Sequence, residues 1–221
     1  MSHPFGFLQD MLDYWPQILS GLSNTLLLSA TITVTGLLAG IVVFRLTLSQ
    51  SKAVQSVTAG YISFFIGTPL IVLLFLMYYG LPQWDIRLSP FSIAVIGFTL
   101  NVAAYNSRYL SAAYNGLDSN QMMAASAQGF SKQQIFNLII LPQTLRRAIP
   151  GLTNQVALNI KDSSIAFLIQ FVDFFAQMQE QAALNFQYLK VYAIAGAVYL
   201  ILVSVVIFAS KRLEHRYSIP T

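Results

Sequence analysis

Cysteine is absent from the chain, and histidine occurs only at His3 and His215, near opposite ends. Neither a disulfide framework, nor a thiolate metal site, nor a histidine metal cluster is available. Charge is scarce as well. Only 9% of the 221 residues are Asp, Glu, Lys or Arg, against about 25% in soluble domains. No Gly-x4-Gly-Lys-Ser/Thr phosphate cradle occurs, so the chain has no ATPase loop of that kind. No HExxH and no Ser/His/Asp arrangement occurs either. The reading is a chain that is not an enzyme and carries no metal or cofactor. The net charge of +4 does not imply nucleic acid, because the basic residues sit mostly in loops between apolar stretches, where they signal topology.

What is present is apolar surface. Such residues make up 56% of the chain, and the mean hydropathy is +0.62. Residues 14–44, 53–84 and 88–107 carry no charge, and uncharged runs of that length have no place in a soluble core. Five spans are predicted, at about 18–44, 60–81, 89–112, 148–171 and 190–210. They form one transmembrane domain over 1–221, with no internal repeat. Trp15, Tyr78, Tyr79, Trp84 and Tyr217 lie near span ends as interfacial anchors. The N-terminal stretch has acidic Asp10 and Asp13 and no basic n-region, so the first span is expected to act as an uncleaved anchor.

Five spans put the termini on opposite sides. With the N-terminus outside, the inner segments hold Arg45, Lys52, Lys132, Arg146, Arg147, Lys211, Arg212 and Arg216, and the outer ones only Arg87 and Lys190. This asymmetry sets the N-terminus outside and the C-terminus in the cytoplasm. The polar stretch Asp173–Tyr188 then falls outside, as a surface helix that touches a soluble binding protein or as a simple connector.

Three features inside the spans break the apolar pattern. Gly67-Thr68-Pro69 interrupts the second span, since proline removes a backbone donor and glycine permits close backbone approach; it either lines a cavity or makes a packing kink. Asn101, Tyr105 and Arg108 share one helical face. Arg108 either holds a carboxylate there or reaches the cytoplasmic interface. Lys161-Asp162 interrupts the fourth span, where a charge costs about 2.5–3.5 kcal/mol on insertion scales. Asp162, with Ser163 and Ser164, either borders a polar path and meets an ammonium group, or the two charges hold the bundle together through separate partners.

The inner segment 116–145 has small, polar residues set among hydrophobic runs. Asp118 or Ser119 can cap a helix through Gln128, and Gly129 suits the left-handed position that ends it. Ser131 can cap a second helix with Ile135, Leu138 and Ile139 at helical spacing, which Pro142 interrupts.

The spacing Ala124-Ala125-x3-Gly129-x9-Ile139-x-Leu141-Pro142 resembles the cytoplasmic coupling loop of ABC-importer membrane subunits. Phe65-Ile66-Gly67-Thr68-Pro69-Leu70, Leu141-Pro142-Gln143 with Leu152-Thr153-Asn154-Gln155, and Lys161-Asp162-Ser163-Ser164 resemble further motifs of the polar-amino-acid branch of that family, the histidine/glutamine/arginine-type permeases. The resemblance covers most of the chain. It departs at Met123, where the loop's glutamate is expected, at Ile66 in place of arginine, at Asp118-Ser119-Asn120 in place of Pro-Lys-Gly, and at Arg108, where an acidic residue is common.

The resemblance implies an all-α membrane protein of five transmembrane helices with a cytoplasmic helical coupling loop, in the bacterial inner membrane. It implies a permease subunit of an ATP-driven importer of a polar amino acid. ATP and Mg would be bound by separate ATPase subunits. A second permease, identical or homologous, and an external substrate-binding protein would complete the assembly within membrane lipid. Gly67, Thr68, Pro69, Asn101, Tyr105, Arg108, Lys161, Asp162, Ser163 and Ser164 are the candidate pathway residues. Ala124, Ala125, Gly129, Ile139, Leu141 and Pro142 are the candidate ATPase contacts. An ion-gradient-driven transporter and a non-transport membrane scaffold are the alternatives.

Overall fold

The computed structural model describes residues 13–217, with side chains to Arg212, and is helical throughout. His3, Asp10 and the N-terminal topology residues, and the side chains of His215, Arg216 and Tyr217, lie outside the described residues. In chain order the helices are α1 (Trp15–Thr47), α2 (Lys52–Gly67), α3 (Leu70–Phe75), α4 (Pro90–Tyr114), α5 (Ser119–Ala127), α6 (Lys132–Ile135), α7 (Leu141–Asp162), α8 (Phe174–Asn185) and α9 (Tyr188–Tyr217). Short π and 3-10 turns extend α3, join α6 to α7, and follow α7.

By length and composition, α1 and α9 are apolar enough to cross a membrane, and α2 with the α3 segment makes a third if the bent pair is one span. That pair bends by 100° at its break. The second predicted span is thus not a straight helix. α4 carries Asn101, Asn106 and Ser107 among its buried residues, and α7 carries Arg146, Arg147, Lys161 and Asp162. Those polar and charged groups make both helices less apolar than α1 and α9.

α1 packs along α4 more extensively than any other pair of elements. Gly36 and Gly40 make the approach possible. A Cβ at Gly36 would lie 2.5 Å from Val102 Cγ1, and one at Gly40 would lie 2.6 Å from Asn106 Cβ. A glycine every fourth residue lets two membrane helices approach to backbone contact. The spacing is visible in the sequence itself.

The apolar contacts form separate layers. Leu28, Ile32, Leu74, Ile93, Phe98, Ala166 and Ile169 make one. Ile18, Phe174, Met178 and Val191 make a second. Phe44, Leu110, Ile135, Phe136 and Ile140 make a third at the opposite end.

α8 is not a free surface helix. Phe174, Met178, Gln181 and Ala182 are buried, and the segment is stitched to α1. Asn24 Nδ2 donates to the Val172 carbonyl at 2.8 Å, and the Phe174 amide donates to Thr25 Oγ1 at 3.0 Å. Asp173 caps α8, its Oδ1 accepting from the Ala176 amide at 2.8 Å. Asp173 is fully buried, in the connector between the fourth and fifth predicted spans. Burial pushes its carboxyl up to about 7 from the ordinary 3.8, against the pull of its backbone hydrogen bonds.

The folded chain therefore holds a proton at Asp173 that the unfolded chain releases above about pH 4. Raising the pH from about 4 to 7 removes stability, and above that the contribution is flat. In the assembled complex, the Asp173→Asn variant should lose part of the fall in thermal midpoint between about pH 5 and 7. An unchanged slope would contradict the assignment.

Candidate functional site

Pro69 generates the first element of the site. It has no N–H, so the carbonyl four residues earlier, on Phe65, loses its helical partner. Thr68 and Pro69 adopt extended ψ angles of 128° and 130°, and the chain turns. Asn101 of α4 answers the missing bond: its Nδ2 donates to the Phe65 carbonyl at 2.7 Å. One turn away, Tyr61 Oη donates to the Leu100 carbonyl at 2.6 Å. The broken helix is thus tied to α4 by side chains reaching backbone in both directions. Gly67 and Pro69 are exposed and Thr68 half-buried. A Cβ at Gly67 would meet nothing within 4 Å. The close approach expected at Gly67 is therefore not made within this chain, because the break turns that residue outward.

The predicted stripe on α4 changes character along its length. Asn101 is buried, Tyr105 half-buried and Arg108 exposed. Asn101 serves the backbone of α2, while Arg108 lies about 10 Å further along the helix.

The second element is the end of α7. Lys161 is exposed, Asp162 half-buried and Ser163 fully buried. Ser163 Oγ donates to the Ile160 carbonyl and Ser164 Oγ to the Lys161 carbonyl, each at 2.8 Å. Both hydroxyls satisfy the last carbonyls of the helix. Of this run, the lysine and the aspartate are the groups left for a ligand. The turn Ser163–Ile169 packs on α3, with Leu74, Ala166 and Ile169 in one apolar layer and Leu70 and Ile165 against it. Two irregular segments far apart in sequence therefore meet.

The third element is the loop 116–145. Asp118 caps α5, accepting from the Asn120 amide at 2.9 Å. The helix ends with Gly129 at φ +86°, the Gly129 amide bonding to the Ser126 carbonyl and Phe130 to Ala125. A left-handed residue is required there, and glycine adopts it without Cβ strain. Ser131 and Gln134 form a reciprocal capping box on α6. Pro142 does not stop the following helix. A π turn over Phe136–Ile140 widens the spiral, the Leu141 amide reaching back to Phe136, and α7 continues through the proline.

The loop's faces differ from the sequence expectation. Ala124, Gly129 and Pro142 are exposed, whereas Ala125 is buried and Ile139 and Leu141 pack on the chain's own core. Leu138 is 63% exposed while Phe136 and Ile140 point inward. Met123 and Phe130 are exposed as well. Ile135, Phe136, Ile139 and Ile140 make the inward face, which leaves Leu138 on the opposite side.

The loop is held to the bundle by several side chains. Phe44 at the end of α1 is fully buried, with ring centroids 5.9 Å from Tyr114 and 6.0 Å from Phe136. Arg45 lies 4.5 Å over the Phe136 ring and donates to Gln133 Oε1. Lys132 Nζ donates to Gln50 Oε1 at 2.6 Å, and Arg147 donates to the Gly116 carbonyl.

Residues 32–218 match the family model described as the binding-protein-dependent transport system inner membrane component. The chain belongs to this family. It is 34% identical over 214 residues to a probable amino-acid ABC transporter permease protein, PatM, of Vibrio harveyi, covering 94% of this chain and 96% of that protein. It is 32% identical to the arginine transport system permease protein ArtQ of Bacillus subtilis, with 91% and 92% covered. A solved structure described as an amino acid ABC transporter with histidines superposes with a TM-score of 0.86 at 28% identity, covering 98% of this chain and all of that one. The chain is thus an inner-membrane, multi-pass permease component of an ABC amino-acid importer, and the ATPase is a separate subunit in this family. The ion-gradient and scaffold alternatives fall with that membership.

Asn101 was read as a pathway residue, and the hydrogen bond to Phe65 gives it a structural task. Asn101→Leu strands a buried carbonyl, at a cost of about 1–3 kcal/mol. The permease should show reduced yield of assembled complex and a thermal midpoint lowered by several degrees, with transport per assembled complex near the wild-type value. Normal yield with impaired transport would instead make Asn101 a ligand-contacting residue.

Proposed function

We propose that this permease carries a polar amino acid across the inner membrane along a path bordered by the α2–α3 break and the end of α7. The meeting of these two irregular segments carries the reading, because discontinuous helices in transporters bring backbone and charged groups to a midplane site. Thr68 and the exposed backbone at Gly67 and Pro69 form one wall. Asp162 receives the substrate's ammonium group, with Lys161 beside it. Tyr105 and Arg108 continue the polar face of α4, where the guanidinium can receive a carboxylate. The relatives named for arginine and, in Escherichia coli, for glutamine (31% identical) support a polar substrate.

In the membrane the chain makes five spans, at about 18–44, 60–81, 89–112, 148–171 and 190–210, with the N-terminus outside and the C-terminus in the cytoplasm. The polar α4 and α7 cross inside the bundle, shielded from lipid by α1 and α9 and by a second permease, identical or homologous. A soluble binding protein delivers substrate from outside. Segment 116–145 seats against an ATPase subunit that binds ATP and Mg. The exposed Met123, Ala124, Gly129, Phe130, Leu138 and Pro142 meet that subunit. Ala125, Ile139 and Leu141 hold the loop to the bundle from within.

One reconstituted preparation of permease, ATPase and binding protein tests both sites. A Cβ at Gly129 meets nothing within 4 Å in this chain, so Gly129→Asp acts through the partner apart from the backbone strain of its positive φ. That variant should lose co-purifying ATPase or uncouple ATP hydrolysis from uptake; normal coupled uptake would sink the loop assignment. Asp162→Asn should assemble normally and transport at least about tenfold more slowly, the loss of one charged contact. Low yield with normal transport per complex would make Asp162 structural.

A further inference from the structure

Between α1, α4 and α7 lies a cavity of about 40 Å³. Thr33, Asn106, Gln155 and Asn159 line it together with three aliphatic side chains. No charged residue lines it. The polar groups are partly paired. Gln155 Nε2 donates to Asn159 Oδ1 at 3.0 Å, and Asn159 Nδ2 donates to Thr33 Oγ1 at 3.1 Å. That leaves two acceptors, Asn106 Oδ1 and Gln155 Oε1, both buried and without a protein partner. Asn106 is 3% and Gln155 5% exposed.

Neither side chain can turn to solvent cheaply. Asn106 is fixed by the close contact of α4 with α1 at Gly40, where even one added carbon would clash with its Cβ. Gln155 is held through its own amide by Asn159. Two carbonyl oxygens cannot bond to one another, and an unpaired one inside a protein costs the full loss of its hydration. What both require is a donor of two protons. The cavity has room for water, which needs at least about 10–15 Å³ of such space, and is too small for an amino acid. With no carboxylate in the wall and two free carbonyl oxygens, it falls short of the six or so oxygen ligands that replace a cation's hydration shell.

We propose that this cavity is a binding site for ordered water, one molecule of which donates to Asn106 Oδ1 and Gln155 Oε1 and so joins α4 to α7. Gln155, Asn159 and Asp162 follow one another at i, i+4 and i+7 on one face of α7, so the joint lies within two turns of Asp162. The assignment stands on the cavity and the two acceptors and does not depend on the transport path described above.

The first test is a map of the wild-type assembled transporter at a resolution that shows ordered water. Density within about 2.7–3.2 Å of both oxygens is expected. A direct amide–amide bond, with Asn106 flipped and no density between, would overturn the site. So would density that strengthens when thallium replaces sodium, since that would make the occupant a cation.

The second test is a double-mutant cycle on thermal stability with Asn106→Leu and Gln155→Met. The Gln155–Asn159 bond is lost equally in the single and double variants and cancels from the coupling. The double variant should lose clearly less than the sum of the two single losses, because a bridge with one end removed strands the other. Additive losses would overturn the bridge. If a single variant does not assemble, the wild-type map alone decides.

Discussion

A backbone carbonyl without a partner costs several kcal/mol in a medium that has no water to offer. The irregular parts of this permease are organised by that cost. Pro69 breaks a helix and frees the Phe65 carbonyl, and Asn101 is buried in α4 to meet it. The helix ending at Asp162 exposes its last carbonyls, and Ser163 and Ser164 meet them. The serine bonds are local to the helix end, whereas the Asn101 bond also fixes α4 against α2.

The same economy separates polar groups spent on the backbone from those left accessible. Polar residues inside a membrane bundle invite a functional reading. Here Asn101, Ser163 and Ser164 are occupied with backbone, while Asp162, Lys161 and Arg108 remain accessible to differing degrees.

Segment 116–145 is built as a rigid elbow rather than a flexible tether. Two capped helices meet at Gly129, and the second flows into α7 through the π turn. Phe44 packs between Tyr114 and Phe136, and Arg45 covers that contact from outside. The segment is thus joined to α1 through an aromatic contact and to α7 along a continuous helix. That is the geometry that rigid-body re-orientation of a bundle requires.

Much of this was legible in the sequence. The helix caps at Asp118 and Ser131 and the left-handed Gly129 are local matters, decided by side-chain oxygens and a missing Cβ within a few residues. The break at Pro69 is equally local, because proline cannot donate. The family motifs pointed to the permease class, which the comparisons bear out. The angle of the break, the burial of Asn101 and Ser163, the outward position of Leu138 and the polar cavity at Asn106 and Gln155 were not legible. Each depends on which helix lies alongside, at what distance and in what rotation. Periodicity gives a helix its faces; only the neighbouring helices decide which face meets lipid, protein or water.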